Sequence, residues 1–384
     1  MFSRRIPGDL RPTAWARARA ARGAVPYDLT ISNPTACGFP YPPTLLDPLR
    51  DPAALRYRPD PKGLRVAREA VACEYEARGV TVDPERIVLT ASSSESYGFL
   101  FKTLCDPGET VLVPTPSYPL FDHLASLEGV HVVPYPLDPA EGWEPHPPEL
   151  GAAQGARAVV LVHPNNPTGT WVNPAAAERL ATCAGTLPIP LIVDEVFLDY
   201  PLAPHAHAKT FAARSTDLTF TLGGLSKSRG LPQLKLSWIV VSGPDAEVAK
   251  ALEALEFIGD SYLSVATPIQ EALPEILGRA APLRDAILAR CINNLALARE
   301  VAAGFPAVEL LEPGGGWSAI VRFPRVVGEE TLALELLEQH GVAVHPGYFF
   351  DFPSVGYLVV SLLPESRVFE AGLTCALDVI ASGM

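Results

Sequence analysis

The sequence predicts an α/β fold, with a large domain built on a mostly parallel sheet flanked by helices and a smaller α+β domain. Two observations predict it. From Ile87 onward, short apolar runs alternate with helical patterns, as in strands buried on both faces and joined by crossover helices. Beyond Pro268 the order changes to one long helical stretch, then strand, helix, strand. A chain of 384 residues suits two domains, and 48% hydrophobic against 19% charged residues can build a sizeable core.

Residues 1–48 read as an N-terminal arm that also packs on the smaller domain. Here Arg4, Arg5, Arg11, Arg17, Arg19 and Arg22 face a single acid, Asp9. Such a stretch is either an organelle transit peptide or an arm or first helix that clasps a partner subunit. The second reading is the simpler one.

Residues 49–285 read as the large domain. Its predicted strands are Ile87 to Thr90, Thr110 to Val113, Arg157 to Val162, Pro190 to Val193, Leu218 to Leu222 and Trp238 to Val241. Helical segments over Ser94 to Leu104 and Pro174 to Ala184 lie between them. A long helical stretch is predicted from Pro268 through Ala303, running into the smaller domain of residues 286–384. There Trp317 to Phe323 and Tyr357 to Leu362 read as strands on either side of a helix over Glu330 to Gln339.

Composition narrows the classes of function. A net charge of −13 argues against nucleic acid as a partner, because a polyanion is repelled. Mean hydropathy is only +0.17, and no run reaches the ~18 apolar residues of a membrane helix. The six cysteines are scattered without a C-x-x-C pair, so neither a metal site nor a disulfide framework is indicated. Reduced thiols fit a cytoplasmic protein.

Five motifs stand at predicted strand ends, where α/β folds bind ligands. His163-Pro-Asn-Asn-Pro-Thr-Gly169 offers Asn side chains, although Asn-Pro and Thr-Gly are also ordinary turn signals. Asp194 ends an apolar strand. A carboxylate buried there needs a cation, and a protonated pyridine nitrogen is one, whereas a surface helix cap is the common alternative. Lys227 lies in Gly223-Gly-Leu-Ser-Lys-Ser-Arg-Gly230. Most lysines are solvated, but a desolvated one becomes a usable amine nucleophile. Thr90-Ala-Ser-Ser-Ser-Glu-Ser96 runs from a strand into a helix, a junction that binds anions or simply caps the helix. Tyr118 could stack on a flat ring or be an ordinary rim residue.

Each motif alone is weak, but their order is not. The sequence resembles the class I/II aminotransferases of pyridoxal 5'-phosphate (PLP) fold type I over nearly its whole length. Asn165-Asn-Pro-Thr-Gly169, Asp194-Glu-Val-Phe197 and Leu225-Ser-Lys227 are the most specific pieces. The resemblance implies an aminotransferase that moves an amino group between an amino acid or related amine and a 2-oxo acid. It implies PLP carried by Lys227 as a Schiff base, with Lys227 also moving the substrate proton. Asp194 would pair with the ring nitrogen, Asn166 would bond the ring hydroxyl and Tyr118 would cover the ring. Ser93, Ser94, Ser226 and Lys235 would hold the phosphate. Tyr57 would reach the phosphate of a neighbouring subunit, which implies a homodimer with shared sites. Asn33, Trp317 and the position of Val359 would face the substrate.

Four departures from the family stand out. Phe197 replaces a Tyr that donates to the ring oxygen, so the lysine linkage is expected to stay protonated at neutral pH. Lys235 replaces an Arg, a point charge in place of a bidentate fork. Gly224 replaces a Ser, and the run Ser92 to Ser94 is expected to compensate. Val359 replaces the Arg that clamps the substrate carboxylate, and Arg322, Arg56, Arg58 and Lys62 are the possible substitutes. With that anchor gone, other PLP chemistry (a lyase, decarboxylase, racemase or cyclase) is the alternative. A PLP-binding regulator is a more distant one, because nothing ahead of Asn33 has room for a DNA-binding domain.

Overall fold

The computed structural model describes residues 3–148, 151–183, 188–205, 207–324 and 328–383. The chain opens with helix α1 (Ala14–Arg22) and the two-residue strand β1 (Tyr27–Asp28), followed by α2 (Arg65–Glu76). The α/β alternation then runs β2 (Ile87–Thr90), α3 (Ser93–Leu104), β3 (Thr110–Thr115), α4 (Phe121–Glu128) and β4 (His131–Asp138). It continues with β5 (Glu144–Pro145), β6 (Ala156–Val162), α5 (Pro174–Thr182), β7 (Leu191–Asp194), β8 (Thr219–Gly224), α6 (Leu225–Ser228), β9 (Ser237–Ser242) and α7 (Asp245–Tyr262). Ala184, the expected end of the helix that became α5, lies outside the described residues.

The large sheet has the order β2-β9-β8-β7-β6-β3-β4-β5. Pairing is parallel from β8 through β4, and β9 is antiparallel to both β2 and β8. The strands are buried on both faces: Val88, Phe220, Leu222, Ile239 and Val241 pack under α3 and α7, while Leu89, Trp238 and Val240 pack on the other side. This double burial is why the strands read as unbroken apolar runs. After β3 the chain moves outward to β4, and after β6 it moves the opposite way to β7 and β8. The reversal leaves a crevice beyond the carboxyl ends of β3 and β6, the place where open α/β sheets bind ligands.

Two helices, α8 (Thr267–Arg279) and α9 (Ala281–Ala302), make up the predicted helical stretch. They break at Ala280. Then come β10 (Glu309–Leu311), β11 (Ser318–Arg322), α10 (Glu329–Glu335), β12 (Val342–Ala343), β13 (His345–Pro346), β14 (Tyr357–Ser361) and α11 (Ser366–Ser382). A four-stranded antiparallel sheet has the order β10-β11-β14-β13. The N-terminal segment docks on this part of the molecule. β1 pairs with β12, and Trp15 of α1 packs against His345 and Phe349. The first-helix reading of the Arg-rich segment therefore holds for residues 14–22, and Arg22 donates to the Glu338 carbonyl.

Candidate active site

The carboxyl ends of β2, β3, β6, β7 and β8 bring the sequence motifs to one edge of the large sheet. Asp194, the last residue of β7, is buried. Its Oδ2 accepts from the Tyr97 hydroxyl at 3.0 Å and its Oδ1 from the Val196 amide at 3.1 Å. Burial raises its pKa, while these two donors and the charge of Lys227 pull it down. One donor per oxygen leaves lone pairs free, so the carboxylate can still accept from a further cationic N–H.

Lys227 sits on α6, one turn after β8. The Tyr200 hydroxyl donates to its carbonyl at 2.7 Å, which fixes the backbone under the side chain. Its Nζ lies 5.0 Å from the Trp317 ring centroid and 5.6 Å from that of Phe197. Burial lowers the pKa of the ammonium, and the Asp194 charge works the other way. A desolvated amine beside a buried carboxylate is the environment a nucleophilic lysine needs.

The two asparagines of the Asn165-Asn166 pair do different work. Asn165 is buried: it accepts from Ser117 Oγ at 2.7 Å and donates to the Pro116 carbonyl and to Thr168 Oγ1. That network ties the ends of β3 and β6 together. Asn166 stays partly open and accepts from Ser318 Oγ at 3.4 Å, a long contact. Gly169 closes the motif with φ of +69°, and a Cβ there would stand 2.4 Å from Pro313. Only glycine lets the loop approach the chain ahead of Trp317 so closely. That chain is stitched to the segment after β7 by Leu202 N to Gly314 O at 2.9 Å and Gly316 N to Tyr200 O at 2.9 Å.

At α3, Ser92 caps the Glu95 amide at 3.1 Å, and Glu95 returns to the Ala91 amide at 2.6 Å. This is a variant of the capping box, with the return bond to the residue before the N-cap. It occupies Ser92 and leaves the hydroxyls of Ser93 and Ser94, in the first helical turn, free to meet an anion. Ser226 is half-buried beside Lys227. Lys235 is exposed and in the left-handed region, with φ of 50°. Tyr118 is 38% exposed and stands edge-on to Phe121.

Other expected positions lie further out or are engaged. Tyr57 is 78% exposed. Asn33 uses its carboxamide oxygen to accept from Thr35 N and Oγ1. Val359 is buried, and its partner across β11 and β14 is Ile320. Ser318, two residues from Ile320, faces the same side of that sheet, so Val359 lies on the face turned toward Asn166. Of the basic side chains that might replace the missing Arg, Arg322 pairs with Glu309, Arg58 with Glu271, and Lys62 with Glu85 and Glu256. Only Arg56 of the four is exposed without an acidic partner among the described residues. The cysteines are all free thiols.

The sequence profile of the aminotransferase class I and II family matches residues 49–370. The chain belongs to the class I and II aminotransferases. Members of this family use PLP, and the chain is a PLP-dependent transaminase acting on amino and 2-oxo acids. It is 29% identical over 365 residues to a glutamate-pyruvate aminotransferase of Haemophilus influenzae, covering 90% of this chain and 88% of that one. It is 28% identical over 382 residues to an arginine–pyruvate transaminase of Pseudomonas aeruginosa, covering 94% and 93%. An aminotransferase structure from Escherichia coli superposes with a TM-score of 0.85 at 25% identity, covering 99% and 98%. The fold is PLP fold type I. The residues of the site fit that cofactor: Asp194 has spare acceptor capacity in a dry setting, Lys227 is desolvated, and Ser93 and Ser94 in the first turn of α3 have hydroxyls unengaged among the described residues.

Tyr97 escaped the sequence reading. It lies one helical turn beyond Ser93 on α3, so the i, i+4 spacing from the serine run was its signal. Ser318 gave none, because its approach to Asn166 depends on how two sheets meet.

Proposed function

We propose that this aminotransferase takes a small apolar α-amino acid, alanine or a close relative, as donor, and pyruvate or a similar 2-oxo acid as acceptor. The observation that carries this is the pair of aromatic rings, Trp317 and Phe197, around the Lys227 amine. They give the reacting amine an apolar, aromatic border. The glutamate-pyruvate and arginine–pyruvate relatives support pyruvate as one partner.

In this reading Lys227 holds the cofactor and moves the proton at the substrate α-carbon. Asp194 holds the ring nitrogen in its charged form, oriented by Tyr97. Asn166 takes the ring hydroxyl, Tyr118 covers the ring, and Ser93, Ser94, Ser226 and Lys235 take the phosphate. When bound, PLP supplies the carbonyl that receives the amino group and a ring that withdraws electrons from the α-carbon. Trp317 and Val359 shape the substrate side, with Asn33 at its margin.

The enzyme works as a homodimer with shared sites in the cytoplasm. Exposed Leu55, Tyr57, Phe257 and Tyr262 give the apolar surface such a dimer covers. Tyr57 and Arg56 then reach the neighbouring site, where Arg56 meets the substrate carboxylate. The division into residues 1–48, 49–285 and 286–384 completes the reading.

The test is a half-reaction screen that follows loss of the bound cofactor's visible absorbance. Alanine is expected to react fastest among alanine, glutamate, arginine and ethylamine, with pyruvate restoring the absorbance. Arginine or ethylamine reacting faster than alanine overturns it.

A further inference from the structure

At the site edge of the large sheet, two facing strand residues, Gly224 and Ser237, share one space. Gly224 ends β8 with φ of 174°, an extended conformation open to any residue. Its missing side chain therefore has a steric cause. A Cβ on Gly224 would stand 2.2 Å from Ser237 Oγ. Gly224 and Ser237 face each other directly across β8 and β9, and Ser237 faces Thr90 across β9 and β2.

The three positions form a row along the site edge of the sheet, on the face where α3 packs. Ile239 and Leu222, two residues in from Ser237 and Gly224, contact that helix layer. Thr90 is engaged, since its Oγ1 shares a hydrogen bond with Ser96 Oγ at 2.7 Å. Ser237 is 2% exposed, and its hydroxyl has no hydrogen-bond partner among the described residues. The residue is buried while its hydroxyl is unengaged, which leaves that donor available to a ligand. Ser237 stands opposite Thr90, which leads into α3, and next to the strand that leads into Lys227.

We propose that Ser237 is a phosphate-binding residue of this enzyme, donating its hydroxyl to the cofactor phosphate from β9 in place of a side chain at position 224. The inference rests on PLP being the cofactor. It replaces the expectation that Ser92 to Ser94 alone make up for Gly224, because Ser92 is spent on the helix cap.

The experiment measures dissociation constants of apoprotein for PLP and for pyridoxal, which lacks the phosphate. Ser237→Ala should weaken PLP about tenfold and leave pyridoxal unchanged. Gly224→Ser alone should lower the thermal midpoint, because two side chains then claim one space. The exchange Gly224→Ser with Ser237→Gly should restore both stability and PLP affinity to within about twofold, by returning one hydroxyl to the same place. Unchanged PLP affinity in Ser237→Ala, or an equal loss for pyridoxal, overturns the proposal. Wild-type protein that binds neither compound would instead overturn the cofactor assignment.

Discussion

The two walls of the site are built on opposite principles. On the cofactor side, polar groups are buried and placed: Asp194 is held by Tyr97 and Val196, Asn165 ties two strand ends, and Ser237 and the α3 serines converge on one edge. On the side proposed for the substrate, Trp317, Phe197 and Val359 are buried, and Arg322, at the far end of β11, pairs with Glu309. The first wall meets the needs of one fixed molecule, and the burial of Asp194 and Asn165 is offset by hydrogen bonds. The second selects by shape. A hydrophobic slot discriminates only modestly, about 10–200-fold per methylene, so this chain is expected to be strict about its cofactor and tolerant among small donors.

Lys227→Ala cuts deepest on the cofactor side. Turnover should fall about 10⁴-fold or more and the visible absorbance of the lysine-bound cofactor should vanish, with the thermal midpoint retained, since a desolvated amine is removed. Retained turnover would break the comparison at its centre.

On the opposite wall, Trp317→Ala should raise kcat/KM for leucine relative to alanine about tenfold, at a stability cost of about 3–5 kcal/mol. An unchanged ratio, measured by steady-state kinetics, would show that Trp317 belongs to the core and does not shape the slot.

Tyr97→Phe should act through Asp194 alone. The Tyr97 hydroxyl lowers the Asp194 pKa, so its removal lets burial push that pKa further up. The acid limb of the kcat/KM profile should move to higher pH, with a severalfold loss near neutrality and a stability cost of about 1–3 kcal/mol. A pH–rate profile identical to wild type would remove Tyr97 from the cofactor wall.

Glu195 gives the smallest effect and a control. Buried beside Asp194 in sequence, it accepts from Thr210 Oγ1 and the Phe211 amide, both at 2.6 Å, and burial pushes it up from 4.5 to about 7. Its neutral form is the one the fold favours. Its contribution is therefore complete below pH 4.5 and lost as pH rises through about 7. Glu195→Gln should gain thermal stability relative to wild type between pH 5 and 8, with kcat unchanged. A difference that does not vary with pH would contradict this.

The strands of the large sheet were legible because burial on both faces writes them as apolar runs. β4 was not: its first residue is exposed, Pro134 and Pro136 interrupt it, and it lies near the sheet edge. The opposite direction of β9 left no mark either, since a run of Trp238, Ile239, Val240 and Val241 reads the same both ways. Lys227, Asp194 and Asn166 were legible as strand-end polar residues in a known order. Ser237 was not, because what singles it out is an empty Cβ position thirteen residues earlier that only the β8–β9 register brings opposite. Trp317 was read as facing the substrate; it also packs in the core, on Tyr200 at 5.0 Å, while lying over the lysine.

Tyr200 joins the two walls. Its hydroxyl holds the Lys227 carbonyl, its own carbonyl accepts the Gly316 amide, and its ring rests against Trp317. The lysine and the ring above it are thus mounted on one bracket. Any swing of the antiparallel sheet that carries Trp317 must either move the lysine with it or hinge beyond Trp317. The amine and the ring above it are therefore coupled: a shift of one reaches the other through Tyr200.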